Sequence, residues 1–174
     1  MVIPVRHATS LLFFHESGLV KELIHQLKYN GHQEIGKLMA DWFIYQNPQL
    51  DLSRHIDLMV PVPLHPKKHK KRGYNQMTVW GENLSRYYHL PYREDILVRT
   101  IHTTSQTNKN IEQRRENVQN AFAVYQPSVY AGKHFLILDD VMTTGATIEA
   151  CAETILQSVP GAQVSVLTMA MVIS

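Results

Sequence analysis

The stretch FLILDDVMTTGATIEA, residues 135–150, runs from an unbroken apolar segment into two adjacent acids, then a hydroxyl-rich turn around one glycine, then a helix. The apolar segment is the length of a buried strand. The helix after it, residues 145–159, carries Ile148, Cys151, Ala152, Ile155 and Leu156 on one face. A buried strand that hands over at once to a helix is the repeating unit of a parallel sheet. The rest of the chain keeps the alternation. LLFF near the start, DLMVPVPL, ILVRTI, AFAVY, HFLIL and QVSVLTMAMV read as strands, and RRENV as a short helical turn. GLVKELIHQLKYNG, QEIGKLMADWFIYQNP and YNQMTVWGENLSRYYH read as helices, the last weakened by Gly81. The expected fold is α/β, a mainly parallel central sheet flanked by helices. Ligands of such sheets bind beyond the carboxyl ends of the strands. Here those ends fall at Pro61–Leu64 and at Asp139–Asp140.

A chain of 174 residues that is 44% hydrophobic suits one domain with a sizeable core. No stretch approaches the roughly 18–20 apolar residues of a membrane span, and no secretory signal opens the sequence. Cys151 is the single cysteine, so an intrachain disulfide and a four-thiolate zinc site are excluded. These features together lead us to expect a cytoplasmic protein. The net charge is +2, but five of the 17 basic residues lie in HPKKHKKR, residues 65–72. Taking Lys67, Lys68, Lys70, Lys71 and Arg72 from the 17 leaves 12 basic against 15 acidic residues. One basic loop on an otherwise mildly acidic chain attracts phosphates, on a small ligand or on nucleic acid, although an isolated charge run is by default a solvated face.

Two motifs fail on inspection. Gly31–Lys37, GHQEIGK, fits the glycine and lysine spacing of a nucleotide-binding P-loop, but Leu38 stands where the hydroxyl belongs and no strand precedes it. His65 and His69 are four apart, yet a Zn²⁺ there would sit among cations with no carboxylate.

LILDDVMTTGAT is different. One acid would suffice to cap the following helix, whereas two adjacent acids repel and resist burial. Hydroxyls of a sugar relieve both by donating to the carboxylates, at about 1.5–3 kcal/mol each. The turn TTGAT at a helix N-terminus supplies backbone N–H groups, hydroxyls and a flexible glycine, a ready phosphate site. Side by side they describe a phosphorylated ribose.

An apolar strand, two acids and T-T-G-x-T resemble the signature of the type I phosphoribosyltransferases, which bind phosphoribosyl pyrophosphate (PRPP). LKYNG (27–31), VPVPLHPKKHKKRGYNQ (60–76), SQT with RRENVQNAF (105–122) and the acid motif occur in the order seen in the ComF family of competence-associated, phosphoribosyltransferase-like proteins. The resemblance covers nearly the whole chain and implies one domain over residues 1–174. Residues 1–50 would be a helical, hood-like part and residues 55–174 the PRPP-binding core. ComF proteins usually carry an N-terminal four-cysteine zinc module, which this sequence lacks.

The resemblance assigns the ribose hydroxyls to Asp139 and Asp140 and the 5′-phosphate to Thr143, Thr144, Gly145, Ala146 and Thr147. It assigns pyrophosphate to the turn Pro61, Val62, Pro63, Leu64 and His65, with Lys67, Lys71 and Arg72 as candidates for neutralising the leaving group. Residues 102–113 resemble the flexible loop that closes over such sites, with Gln106, Arg114 and Asn117 matching the ComF pattern and Arg114 as the catalytic candidate. Lys28 and Tyr29 fall in a ComF signature on the acceptor side. Cys151, Trp42, Phe43 and Trp80 read as core. The implied chemistry is displacement at ribose C1 by a nitrogenous acceptor, with Mg²⁺ held mainly through the substrate and no protein metal site. A glutaminase half is excluded, because Cys151 lies mid-helix. The competing reading is a non-catalytic PRPP-sensing or DNA-handling competence protein, since the chain ends at its last strand and shows no base-reading constellation. Single-stranded DNA is the partner in that reading, although aromatics are missing from residues 65–72. A homodimer is left open.

Overall fold

The protein is described by a computed structural model that covers residues 3–15, 17–100 and 121–172. Its elements are β1 (Ala8–Phe14), α1 (Leu19–Tyr29), α2 (Glu34–Gln46), β2 (Leu58–Pro61), α3 (Pro66–Arg72), α4 (Thr78–Tyr88), β3 (Leu97–Arg99), β4 (Phe122–Val124), β5 (His134–Met142), α5 (Ala146–Ser158) and β6 (Gln163–Val172). Four strands form a parallel sheet in the order β1-β6-β5-β2. The short β3 and β4 pair antiparallel beside it. The α/β architecture with a mainly parallel sheet is therefore the one expected. Among the described residues no helix is long and apolar enough to cross a membrane.

Both faces of the sheet are covered, which is why its central strands are apolar without alternation. Phe135 and Ile137 of β5 pack with Cys151, Ala152 and Ile155 of α5. Leu136 and Leu138 point the other way, among Leu27, Met39, Phe43, Trp80 and Leu84 of α1, α2 and α4. Cys151, Phe43 and Trp80 are buried and Trp42 is half-buried against the same core. The N-terminal fifty residues share this core, since β1 is an edge strand of the sheet.

Gly81 turns out to be a packing residue rather than a weak point of α4. A Cβ there would lie 2.2 Å from Cε2 of Tyr92. Gly36 of α2 faces the same helix, and its Cβ would meet the Trp80 backbone nitrogen at 3.0 Å. The two glycines let α2, α4 and the Tyr92 ring approach closely.

Two local features differ from the sequence reading. The basic segment is a helix, α3, and not a loop. Pro66 opens it at a position that needs no N–H, the Nδ1 of His65 accepts from Lys67 N at 3.1 Å, and Gly73 closes it at φ 82. Its last turn holds His69, Lys70, Lys71 and Arg72, the end of the helix dipole that favours cations. In addition, β5 does not stop before the acids. It runs on through Asp139 and Asp140 to Met142, held by Asp139 pairing with Thr168 and Val141 with Ala170 of β6.

Candidate functional site

Because β5 continues through both acids, its alternation sends them to opposite faces. Asp139 shares the α5 side with Ile137, and Asp140 shares the α1 and α4 side with Leu138. The strand thus divides the pair that the sequence presents as neighbours.

Asp139 lines a cavity of about 40 Å³ with Met142, Thr143, Thr144, Gly145, Ala146 and Thr147. Gly145 has φ 77 and caps α5, and Ala146 N donates to Thr144 Oγ1 at 3.5 Å. All five turn residues expected around a phosphate therefore gather at the head of α5, where the first N–H groups lack helical partners. Asp139 itself is half-buried, with part of its surface open to this cavity and the remainder against the core. Burial pushes its carboxyl from 3.8 up to about 7, and the Asp140 charge adds to the rise. Asp140 N–H, donating to Asp139 Oδ1 at 2.9 Å, and Lys28 act in the opposite sense.

Asp140 is buried and tied on both oxygens. Lys28 Nζ of α1 lies 2.7 Å from Oδ1, and Gln76 Nε2 donates to Oδ2. Gln76 in turn accepts from Arg72 Nη1 on α3. A continuous polar path thus joins the basic helix to the acids of β5. Gln76 was not singled out from the sequence, although it closes the quoted segment RGYNQ; its buried position between an arginine and an aspartate is a tertiary fact.

The turn after β2 is anchored by Val62 N donating to Leu138 O at 2.8 Å. Pro63 and Leu64 line a cleft of about 540 Å³ together with His69, Lys70 and Arg99. Lys67 is exposed on the first turn of α3. Lys71 and Arg72 do not reach this cleft; they line a second pocket with Lys28 and Tyr29. The basic helix thus presents different cations to two sides, a division that residue spacing alone did not show. Arg99 had no signal in the sequence either, and its guanidinium sits 5.3 Å above the Phe122 ring. Gln106, Arg114 and Asn117 lie outside the described residues.

Among the described residues no three His, Cys, Asp or Glu side chains converge into a metal cage. Asp139 offers a carboxylate open to the cavity at the head of α5, an oxygen ligand of the kind a hard cation takes.

A parallel α/β sheet with an acid and a glycine turn at the carboxyl end of one strand is the arrangement of the phosphoribosyltransferase-like fold class. A family model described as the phosphoribosyl transferase domain matches residues 79–171, more than half of the chain, and the chain belongs to that family. It is 33% identical over 141 residues to the DNA utilization protein YhgH of Escherichia coli O157:H7, covering 78% of this chain and 60% of that one. It is 26% identical over 151 residues to the competence protein ComFC of Bacillus subtilis (strain 168), covering 87% of this chain and 59% of that one. The chain therefore spans about 60% of the length of these curated relatives. Their names agree with the ComF resemblance seen in the sequence. Among solved structures, the adenine phosphoribosyltransferase of Leishmania tarentolae is similar at a TM-score of 0.49 with 10% identity, over 91% of this chain and 90% of that one.

Proposed function

We propose that the chain binds PRPP with Mg²⁺ and transfers the phosphoribosyl group to a nitrogenous acceptor, releasing pyrophosphate. The observation that carries this reading is the cavity shared by Asp139 and the 143–147 turn. Donors at the head of α5 suit the 5′-phosphate, and the adjacent carboxylate suits a ribose hydroxyl. Asp140 would take a second hydroxyl with the acceptor capacity that its oxygens keep beside Lys28 and Gln76. We assign pyrophosphate to the cleft lined by Pro63 and Leu64, where Lys70 and Arg99 offset its charge and that of Glu94 in the same wall. Bound Mg²⁺ would neutralise part of the same charge, held by substrate oxygens and the Asp139 carboxylate.

In the transfer, the acceptor nitrogen lone pair forms the bond to C1 as the C1–O bond breaks. The bonding pair leaves with pyrophosphate; an amine acceptor then gives its proton to pyrophosphate or water, whereas a ring nitrogen without a proton stays as the cationic product. The chain's own part is to fix the ribose and to stabilise departing negative charge. Calorimetry of PRPP with Mg²⁺, on the intact chain and on Asp139→Asn/Asp140→Asn, tests the reading. Binding by the intact chain that is lost in the double variant supports it, and pyrophosphate release with an acceptor completes it. Absence of PRPP binding removes it.

A second reading, PRPP sensing or DNA handling without turnover, is favoured by the names of the relatives, which refer to DNA utilization and competence. It requires single-stranded DNA affinity that falls steeply with salt, as phosphate contacts demand, together with no pyrophosphate release.

A further inference from the structure

Four cations and two tyrosines meet in a pocket of about 400 Å³ that Lys28 links to Asp140. Lys28 and Tyr29 come from the end of α1, Lys68, Lys71 and Arg72 from α3, and Tyr74 from just beyond it. No carboxylate lines it. Lys28 is engaged with Asp140, but among the described residues no acid pairs with Lys68, Lys71 or Arg72. The rings are held in place. Arg72 sits 5.6 Å above the centre of the Tyr29 ring, and Tyr74 donates its hydroxyl to Leu27 O at 2.6 Å.

Lysine and arginine donate hydrogen bonds and accept none. The pocket therefore suits a ligand rich in acceptors and negative in charge, and its tyrosines suit a flat ring. A neutral nucleobase carries no charge to offset the cations of this wall. The volume is that of a small-molecule site. Lys28 belongs to both places, lining this pocket while touching the carboxylate on the far side of β5 from the phosphate cavity.

We propose that this pocket, where Lys28, Lys68, Lys71 and Arg72 surround Tyr29 and Tyr74, holds the acceptor and selects a nitrogen-bearing aryl or heteroaryl carboxylate over a neutral base. The inference rests on the phosphoribosyl reading of the Asp139 cavity.

Matched pairs of similar shape, in which a carboxylate gives way to its neutral carboxamide, test it: pyridine-3-carboxylate against its carboxamide, and 2-aminobenzoate against 2-aminobenzamide. Each is titrated into the full chain by calorimetry, with and without PRPP and Mg²⁺. The expected result is that at least one carboxylate binds tenfold or more tighter than its amide. That preference should fall at least threefold in Lys68→Ala and in Tyr29→Leu. Equal or absent binding of both members of every pair overturns the inference, as does a preference untouched by both substitutions. Displacement of the carboxylate by inorganic pyrophosphate or by a thymidine oligonucleotide at lower concentration overturns it too, and marks the pocket as a phosphate groove. PRPP binding is measured on the same samples. If PRPP binds and no charge preference exists, this inference fails alone. If PRPP does not bind, the phosphoribosyl reading fails and the acceptor role falls with it.

Discussion

Lys28 Nζ lies 2.7 Å from Asp140 Oδ1, so the end of the first helix is bound to the strand that carries the acid motif. The Asp140 side chain is only 6% exposed and the Lys28 side chain 23%. A carboxylate so buried depends on its partners. Lys28→Met is expected to lower stability by about 1–3 kcal/mol, the cost of leaving a buried acceptor short of a donor. Adding Asp140→Asn should restore part of that loss. Urea midpoints of the two single variants and the double variant provide the check, and strict additivity would show that the pair is not coupled.

In the proposed PRPP site the raised Asp139 carboxyl should make binding depend on pH. Its folded value of about 7 exceeds the ordinary 3.8, so the protonated form persists to near neutrality. Protonated, it loses an acceptor for a ribose hydroxyl. PRPP affinity should therefore rise through pH 7, by roughly tenfold between pH 6 and 8 if it follows the ionised fraction. Because PRPP itself titrates, Asp139→Asn is the control and should lose this part of the slope. The stability effect has the opposite sense. Folding binds the proton more tightly, so the contribution of Asp139 to stability declines as pH rises from 3.8 to about 7. Carbonyl NMR of the labelled carboxyl reads the ionisation directly; a midpoint near 4 would remove both expectations.

Gly81→Ala should destabilise the protein although alanine is the better helix former. The propensity gain is about 1 kcal/mol. Against it stands a Cβ placed 2.2 Å from the Tyr92 ring, and overpacking costs about 1–3 kcal/mol. The Tyr92 ring has little freedom to retreat, since its hydroxyl donates to Glu94 Oε1 at 2.8 Å. A thermal midpoint equal to or above that of the parent chain would contradict this account.

Thr168→Val should be neutral or stabilising. Thr168 is fully buried beside Asp139 on β6, and its hydroxyl has no hydrogen-bond partner. An unpaired buried hydroxyl costs about 1–3 kcal/mol, which a methyl of similar shape avoids. Valine also suits a strand. A clear loss of stability on denaturant unfolding would mean that the hydroxyl is satisfied in solution, with Asp139 the nearest candidate.

Much of this protein is a consequence of local pattern. Apolar runs of strand length, amphipathic helices and the glycine of TTGAT each specify backbone geometry within a few residues, so the α/β sheet and the glycine turn into α5 could be read directly from the sequence. Pro66 and Gly73 bracket residues 66–72 as cap signals as well, but the run of like charges between them opposes a helix in isolation. What depends on chain folding was not legible. Asp139 and Asp140 are adjacent in sequence and face opposite sides of the sheet because β6 keeps them in a strand. Lys28 and Gln76 meet on Asp140, and Arg72 on Gln76, only through the packing of α1, α3 and the turn before α4 against β5. Tyr29 supplies residues 65–72 with the aromatic ring that their own sequence lacks. Local sequence specifies dihedrals and periodicity, but the side on which a charge finds its partner is decided by long-range burial, which forces each polar group to be satisfied wherever the core leaves room.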